Sequence, residues 1–113
     1  MAFVADVEAS AAFYAHLGFE IAGRFTPPGE TRLEWVSLCS AGATLMLSRA
    51  TAPVVAEEQA VLFYLYCEDV AAMHALLTGA GLDPGPVANP FYNPHGEFRL
   101  VDPDGYVVMV AHV

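Results

Sequence analysis

The chain has 113 residues, 56% of them hydrophobic and 15% charged, and 13 acidic residues against four basic ones give a formal net charge of −9. That length suits one ordinary domain, and so apolar a chain fills a core without a disulfide framework or structural metal, which excludes disorder. The only basic residues are Arg24, Arg32, Arg49 and Arg99, and so sparse a set in so acidic a chain excludes a nucleic-acid partner.

The elements follow in chain order. A short strand over about Ala2–Ala5 precedes Asp6, whose carboxylate is placed to cap a helix running to about Leu17, with Gly18 as its left-handed stop. Phe13 and Leu17 share a face of that helix. Three strand-like segments follow, Phe19–Phe25, Arg32–Leu38 and Ala43–Arg49, divided by Pro27-Pro28-Gly29 and Ala41-Gly42. Thr51–Ala60 is a polar linker. Val61–Cys67 is a further strand, and Asp69 caps a second helix with Met73, Leu76 and Leu77 on its apolar face. Strands near Glu97–Val101 and Tyr106–His112 are joined by the turn Asp102-Pro103-Asp104-Gly105.

The longest apolar runs, Ala60–Cys67 and Tyr106–Ala111, fall short of the roughly 18 residues of a membrane helix, so no membrane partner is expected. Asp6 and Glu8 stand where a signal peptide needs a basic start and an apolar run, so a cytoplasmic location is expected. Cys39 and Cys67 lack CxxC spacing and read as buried free thiols.

The two halves repeat at an offset of 63 residues: Asp6-Val7 returns as Asp69-Val70, Gly18 as Gly81, Pro27 as Pro90, Glu34 as Glu97, Gly42 as Gly105 and Met46 as Met109. The unit is strand, helix, then three strands, built as modules at about 1–50 and 61–113. Alternation along the strands sets Glu97 and Arg99 opposite Phe98 and Leu100, and Met46 opposite Leu45 and Leu47. One interior face would then carry Glu34, Met46, Leu62, Tyr64, Tyr66, Glu97, Arg99 and Met109. Trp35, the repeat partner of Phe98, is assigned to the core. His95 shares parity with Glu97 and follows the loop Phe91–Pro94, a candidate lid that brings Tyr92.

The tandem pattern resembles the vicinal oxygen chelate superfamily, which includes glyoxalase I, bleomycin-resistance proteins and extradiol dioxygenases. The residues that carry the resemblance are Asp6-Val7-Glu8-Ala9-Ser10, Phe13-Tyr14, Leu17-Gly18-Phe19, Glu68-Asp69-Val70, Gly79-Ala80-Gly81 and the run from Phe98 through Asp102-Pro103-Asp104-Gly105 to Tyr106. The resemblance implies an α+β fold of tandem βαβββ modules, a mixed sheet curved around a cavity, and a homodimer. In the family's metalloenzymes four interior positions hold a divalent metal. They fall here on Met46, on Met109, near Leu62 and before Met1, and neither a thioether nor a hydrocarbon suits a hard metal. His16, His74 and His112 do not restore the site: two lie on helices, and strand parity turns His112 away from Met109.

Glu97 and Arg99 have two readings, a salt bridge on a wet sheet face or a polar recognition pair with Glu34 in an apolar pocket. Tyr64, Tyr66 and Tyr92 suit either the core or stacking on a flat ligand. Two main functions follow. One is metal-independent binding of a small cationic drug or metabolite, with Glu34, Met46, Tyr64, Tyr66, Tyr92, His95, Glu97, Arg99 and Met109 as candidate ligand-binding residues and no cofactor. The other is an enzyme, a lyase, isomerase or dioxygenase with a divalent metal on substitute ligands, or a metal-free catalyst with Glu97 or Glu34 as base. A partner-binding module is a third possibility that no residue specifically supports.

Overall fold

In the computed structural model, which describes residues 1–113, Asp6 is extended (φ −136°) and its Oδ1 accepts from the Ala9 N–H at 3.1 Å, so α1 begins at Val7 and runs to Ala15. Asp69 repeats this device, accepting from the Ala72 N–H at 2.9 Å at the head of α2, Val70–Gly79. Each carboxylate satisfies an N–H that has no carbonyl partner in the first helical turn. The chain divides into two compact units, Met1–Ala56 and Glu57–Val113.

The first unit holds β1 (Ala2–Val4), α1, β2 (Glu20–Phe25), β3 (Trp35–Ser40) and β4 (Ala43–Arg49). Its sheet is ordered β1-β4-β3-β2, with β1 parallel to β4 and the other pairs antiparallel. The β3–β4 turn needs two residues at positive φ, Ala41 at +46° and Gly42 at +89°, as a tight two-residue hairpin does. Helix α1 packs on β3 and β4 through a core that includes Val4, Val7, Tyr14, Val36, Leu38 and Leu47. Trp35 is only half-buried, its indole lying beside Gly23, rather than the core residue expected.

The second unit holds β5 (Leu62–Cys67), α2, β6 (Glu97–Val101) and β7 (Val107–His112), with a single 3-10 turn at Ala56–Glu58 preceding β5. The sheet is ordered β5-β7-β6, β5 parallel to β7 and β6 antiparallel to it. Of the three strands expected after α2, two form fully. The other is reduced to a bridge of Ala88 with Glu97 and a lone bond from the Gly85 N–H to the Arg99 carbonyl at 2.8 Å. Pro84 and Pro86 have no N–H to give a ladder there. Leu77, Phe98, Leu100, Val108 and Val110 form the core, whereas Leu76, read from its spacing as apolar-facing, is 63% exposed. The β6–β7 turn is held by Asp102, whose Oδ1 accepts from the N–H groups of Asp104 and Tyr106 at 2.9 Å each.

The protein is therefore an α+β fold with two helices and two mixed sheets. Both cysteines are free, but Cys39 is exposed and Cys67 half-buried, against the burial expected from their apolar surroundings in sequence. Desolvation raises the Cys67 thiol pKa. No helix is long and apolar enough to cross a membrane.

Candidate ligand-binding site

The register of the second sheet assembles the candidate site. Tyr66, Ala111 and Glu97 stand in one row across β5, β7 and β6; Tyr64, Met109 and Arg99 stand in the next. Residues two apart on a strand share a face, so both rows project to the same side. The middle residue of the first row, Ala111, is fully buried.

Glu97 is fixed at both ends. Its backbone N–H and C=O pair with Ala88 at 2.9 and 2.8 Å, and the preceding Gly96 turns the chain into β6 at φ +109°. A Cβ at Gly96 would come within 3.3 Å of Val87 Cγ1, so glycine is required both by conformation and by space. Glu97 is 4% exposed, its Oε1 accepts from the Tyr92 hydroxyl at 2.8 Å, and its Oε2 is buried with no hydrogen-bond partner.

Tyr92 arrives on a loop pinned by two successive turns, with the Asn93 N–H bonded to the Pro90 carbonyl and the Gly96 N–H to the Asn93 carbonyl, and with the Asn89 amide donating to the Pro94 carbonyl. Phe91, expected in the same lid, is 96% exposed and packs only edge-on against the Tyr92 ring. The bond to Glu97 raises the Tyr92 phenol pKa, with desolvation and the carboxylate's charge adding to it. Tyr64 is also raised, first by desolvation, then by the charge of Glu97, and least by a weak interaction of its hydroxyl with the same carboxylate, to which Tyr92 donates at 2.8 Å. Tyr64 stacks on Tyr66 at 6.1 Å with 25° between the rings.

These groups line an open cavity of about 440 Å³, walled by Tyr64, Tyr66, Tyr92, His95, Glu97 and His112. Strand parity places His112 on the other face. It is the last residue of β7, opposite Gly96, and its ring lies 4.9 Å from that of His95 at the cavity's edge. Alternation describes the middle of a strand better than its end, and the pairing of the two imidazoles is a loop-to-strand contact with no sequence signal. Asn93 and Pro94 also line the cavity, and nothing in the sequence singled them out beyond their place in the loop.

The remaining candidates fall elsewhere. Arg99 is exposed, forms no ion pair with Glu97 and is not in the wall of this cavity. Glu34 belongs to the first unit, where Arg49 holds it at 3.4 Å and also donates to the Leu33 carbonyl at 2.8 Å. Met46 is 37% exposed on β4, opposite Ser37. In the second unit the family's metal positions present Leu62, 49% exposed, and Met109, flanked in its row by Tyr64 and the cationic Arg99. A hydrocarbon and a thioether beside a guanidinium do not fit a hard divalent metal.

A second hollow, about 550 Å³, lies between α1 and β2 in the first unit, with Glu8, Phe19, Ile21, Arg24 and Leu33 in its wall. Its Glu8 carboxylate already accepts from the Leu33 N–H at 2.6 Å. The cavity of the second unit is thus the one with an unpartnered buried acceptor, and it can take a hydrogen-bond donor while offering aromatic faces to the rest of a ligand.

Comparison with known proteins agrees with this architecture. The family described as Glyoxalase/Bleomycin resistance protein/Dioxygenase superfamily matches residues 1–110. Among solved structures, a bleomycin-binding protein complexed with bleomycin is 20% identical, with a TM-score of 0.75 over 100% of this chain and 98% of that one. A bleomycin resistance determinant encoded on the transposon Tn5 is 20% identical, with a TM-score of 0.75 over 96% of this chain and 90% of that one. The antibiotic-binding protein TnmS3 from Streptomyces sp. CB03234 is 24% identical, with a TM-score of 0.74 over 97% and 88%. These likenesses are of fold. No curated protein matches the chain by sequence.

Proposed function

Starting from a chain that belongs to the Glyoxalase/Bleomycin resistance protein/Dioxygenase superfamily, we propose that this protein binds a small cationic molecule, a drug or a metabolite, without a metal. The observation that carries this reading is Glu97 Oε2, a buried acceptor with no partner, on a cavity walled by three tyrosines. An unpaired buried acceptor is costly, and a ligand that supplies a donor recovers that cost on binding. The net charge of −9 favours the approach of a cation and disfavours nucleic acid. Two of the structural neighbours, described by their complexes with bleomycin and with copper(II)-bleomycin, bind antibiotics on the same fold.

Metal independence is supported by the donor chemistry at Met46, Leu62 and Met109. The reading also takes the protein as cytoplasmic, and as a homodimer because each sheet ends in strands with one ladder partner, edges that invite cover by a second copy.

A second reading rests on the same atoms. A buried carboxylate in a cavity wall, beside a phenol that holds its proton, is a base and an acid side by side. A metal-free enzyme would use Glu97 as the base. A thermal-shift panel of cationic antibiotics and small oxo-acids, run with and without a chelator, tests both. Stabilisation by a cation that survives the chelator, with the compound recovered unchanged, supports the binder. Conversion of the compound supports the enzyme, and stabilisation that needs a divalent metal refutes both.

A further inference from the structure

The two repeat-related glutamates sit in opposite electrostatic circumstances. In the first unit Arg49 donates its backbone N–H to the carbonyl of Glu34, just before β3, at 2.9 Å, and its guanidinium reaches the Glu34 carboxylate at 3.4 Å. In the second unit the residue across the ladder from Glu97 is Ala111. Alanine supplies neither charge nor donor. Glu97 is nonetheless the more buried of the two: its whole residue is 4% exposed, against 36% for the Glu34 side chain. The carboxylate that most needs a counter-charge is therefore the one whose sheet does not provide it.

The cavity wall does not make up the difference. It contains no arginine or lysine. The Tyr92 hydroxyl accounts for Oε1 alone. The nearby His112 has its Nδ1 2.7 Å from a Val113 oxygen, a contact that orients the ring. The wall thus offers an acceptor at Glu97, and the stacked pair Tyr64–Tyr66 offers π faces that attract a cation.

We propose that this cavity is a seat for a primary or secondary ammonium group, which donates an N–H to Glu97 Oε2 and lays its charge against Tyr64 and Tyr66, replacing the arginine that the first unit builds in. The inference rests on the ligand-binding reading and narrows it. A quaternary ammonium has the charge but no N–H for Oε2. An alcohol has a donor but no charge. A carboxylate meets Glu97 as a like charge.

Four probes of matched size separate these cases: 2-phenylethylamine, its N,N,N-trimethyl analogue, 2-phenylethanol and 3-phenylpropionate, titrated into the full chain while the tyrosine ring signals are followed by NMR. The amine is expected to bind about tenfold or more tightly than the other three, and Glu97→Gln to erase its advantage. Equal or tighter binding of the trimethyl analogue, the alcohol or the acid overturns the N–H seat, as does an amine preference that survives Glu97→Gln. If all four fail at millimolar concentration while a cationic antibiotic still binds, the ammonium seat is wrong and the ligand-binding reading stands. If the antibiotics fail too, both fall. The comparison within the wild-type protein needs no variant to fold.

Discussion

The Tyr92 hydroxyl and the Glu97 carboxylate are joined by a 2.8 Å hydrogen bond that holds one carboxylate oxygen and leaves the other, which is buried, without a partner. Tyr92 comes from a loop and Glu97 from the first residue of β6, so the bond ties the loop to the sheet at the cavity.

The bond should be visible in the tyrosine titration. Glu97 is the first cause of the raised Tyr92 pKa and, after desolvation, a cause of the raised Tyr64 pKa. Glu97→Gln should therefore lower both phenols toward the ordinary 10.0, Tyr92 more than Tyr64, in a spectrophotometric pH titration with Tyr92→Phe assigning the transition. Since the fold favours the neutral phenols, whatever stability they lend is present below that ordinary value and lost as pH rises through the folded values. Superimposable titrations of the wild-type protein and Glu97→Gln would show that the carboxylate does not govern these tyrosines.

Stability and binding should part company at Glu97. Glutamine keeps an acceptor for Tyr92 and removes a buried charged oxygen that has no partner. Glu97→Gln should leave stability unchanged or raise it by about 1 kcal/mol in urea unfolding, while ligand affinity falls about tenfold or more. A loss of several kcal/mol would mark Glu97 as a structural group.

Asp6 gives a contrasting case with no role in the cavity. The Ala9 N–H is the first cause of its lowered pKa. Asp6→Ala should cost about 1 kcal/mol at neutral pH, by loss of the cap. A depressed carboxylate contributes fully above its ordinary value of 3.8 and loses that contribution as pH falls through the folded value. The gap between wild type and variant should accordingly close below that point in pH-dependent melting, and a constant gap down to the acid transition would contradict the cap.

Gly96→Ala tests how the backbone aims Glu97. With φ at +109° and Val87 Cγ1 3.3 Å from the new methyl, the change should cost about 2 kcal/mol of stability. It should also weaken ligand binding by shifting the carboxylate. A variant as stable as wild type in urea unfolding would show that β6 can enter the sheet without glycine.

Much of this was legible from residue types in register. Asp6 and Asp69 name their own helices, and the period-2 pattern brings Tyr64, Tyr66 and Glu97 onto one face. Local rules failed where a neighbour decides the outcome. Glu97 and Arg99 share a face, but residues two apart on a strand sit about 6–7 Å apart, and each is set by its own row, Glu97 beside Ala111 and Arg99 beside Met109. No ion pair follows from parity alone. His112 reached the cavity because it ends its strand, where a loop histidine, His95, meets it. The missing strand after α2 was announced by Pro84 and Pro86, although the internal repeat argued for it. Glu34 and Glu97 match in sequence, but Arg49 ion-pairs with Glu34, whereas the ladder partner of Glu97 is Ala111, which has no charge to offer.

The donor sets bear on composition as well as on binding. With Leu62 and Met109 at the family's metal positions in the second unit, the purified protein should contain well under one equivalent of Ni, Zn, Mn or Fe per chain by elemental analysis. A stoichiometric metal would contradict the reading of those positions.

The central claim, a metal-independent site built on Glu97, is tested most directly by calorimetric titration, in the presence of a chelator, of the cationic antibiotic that most raises the melting temperature. The account predicts saturable binding to the wild-type chain and affinity about tenfold or more weaker for Glu97→Gln. Binding that appears only when a divalent metal is restored, or that is equal in the two proteins, would contradict it.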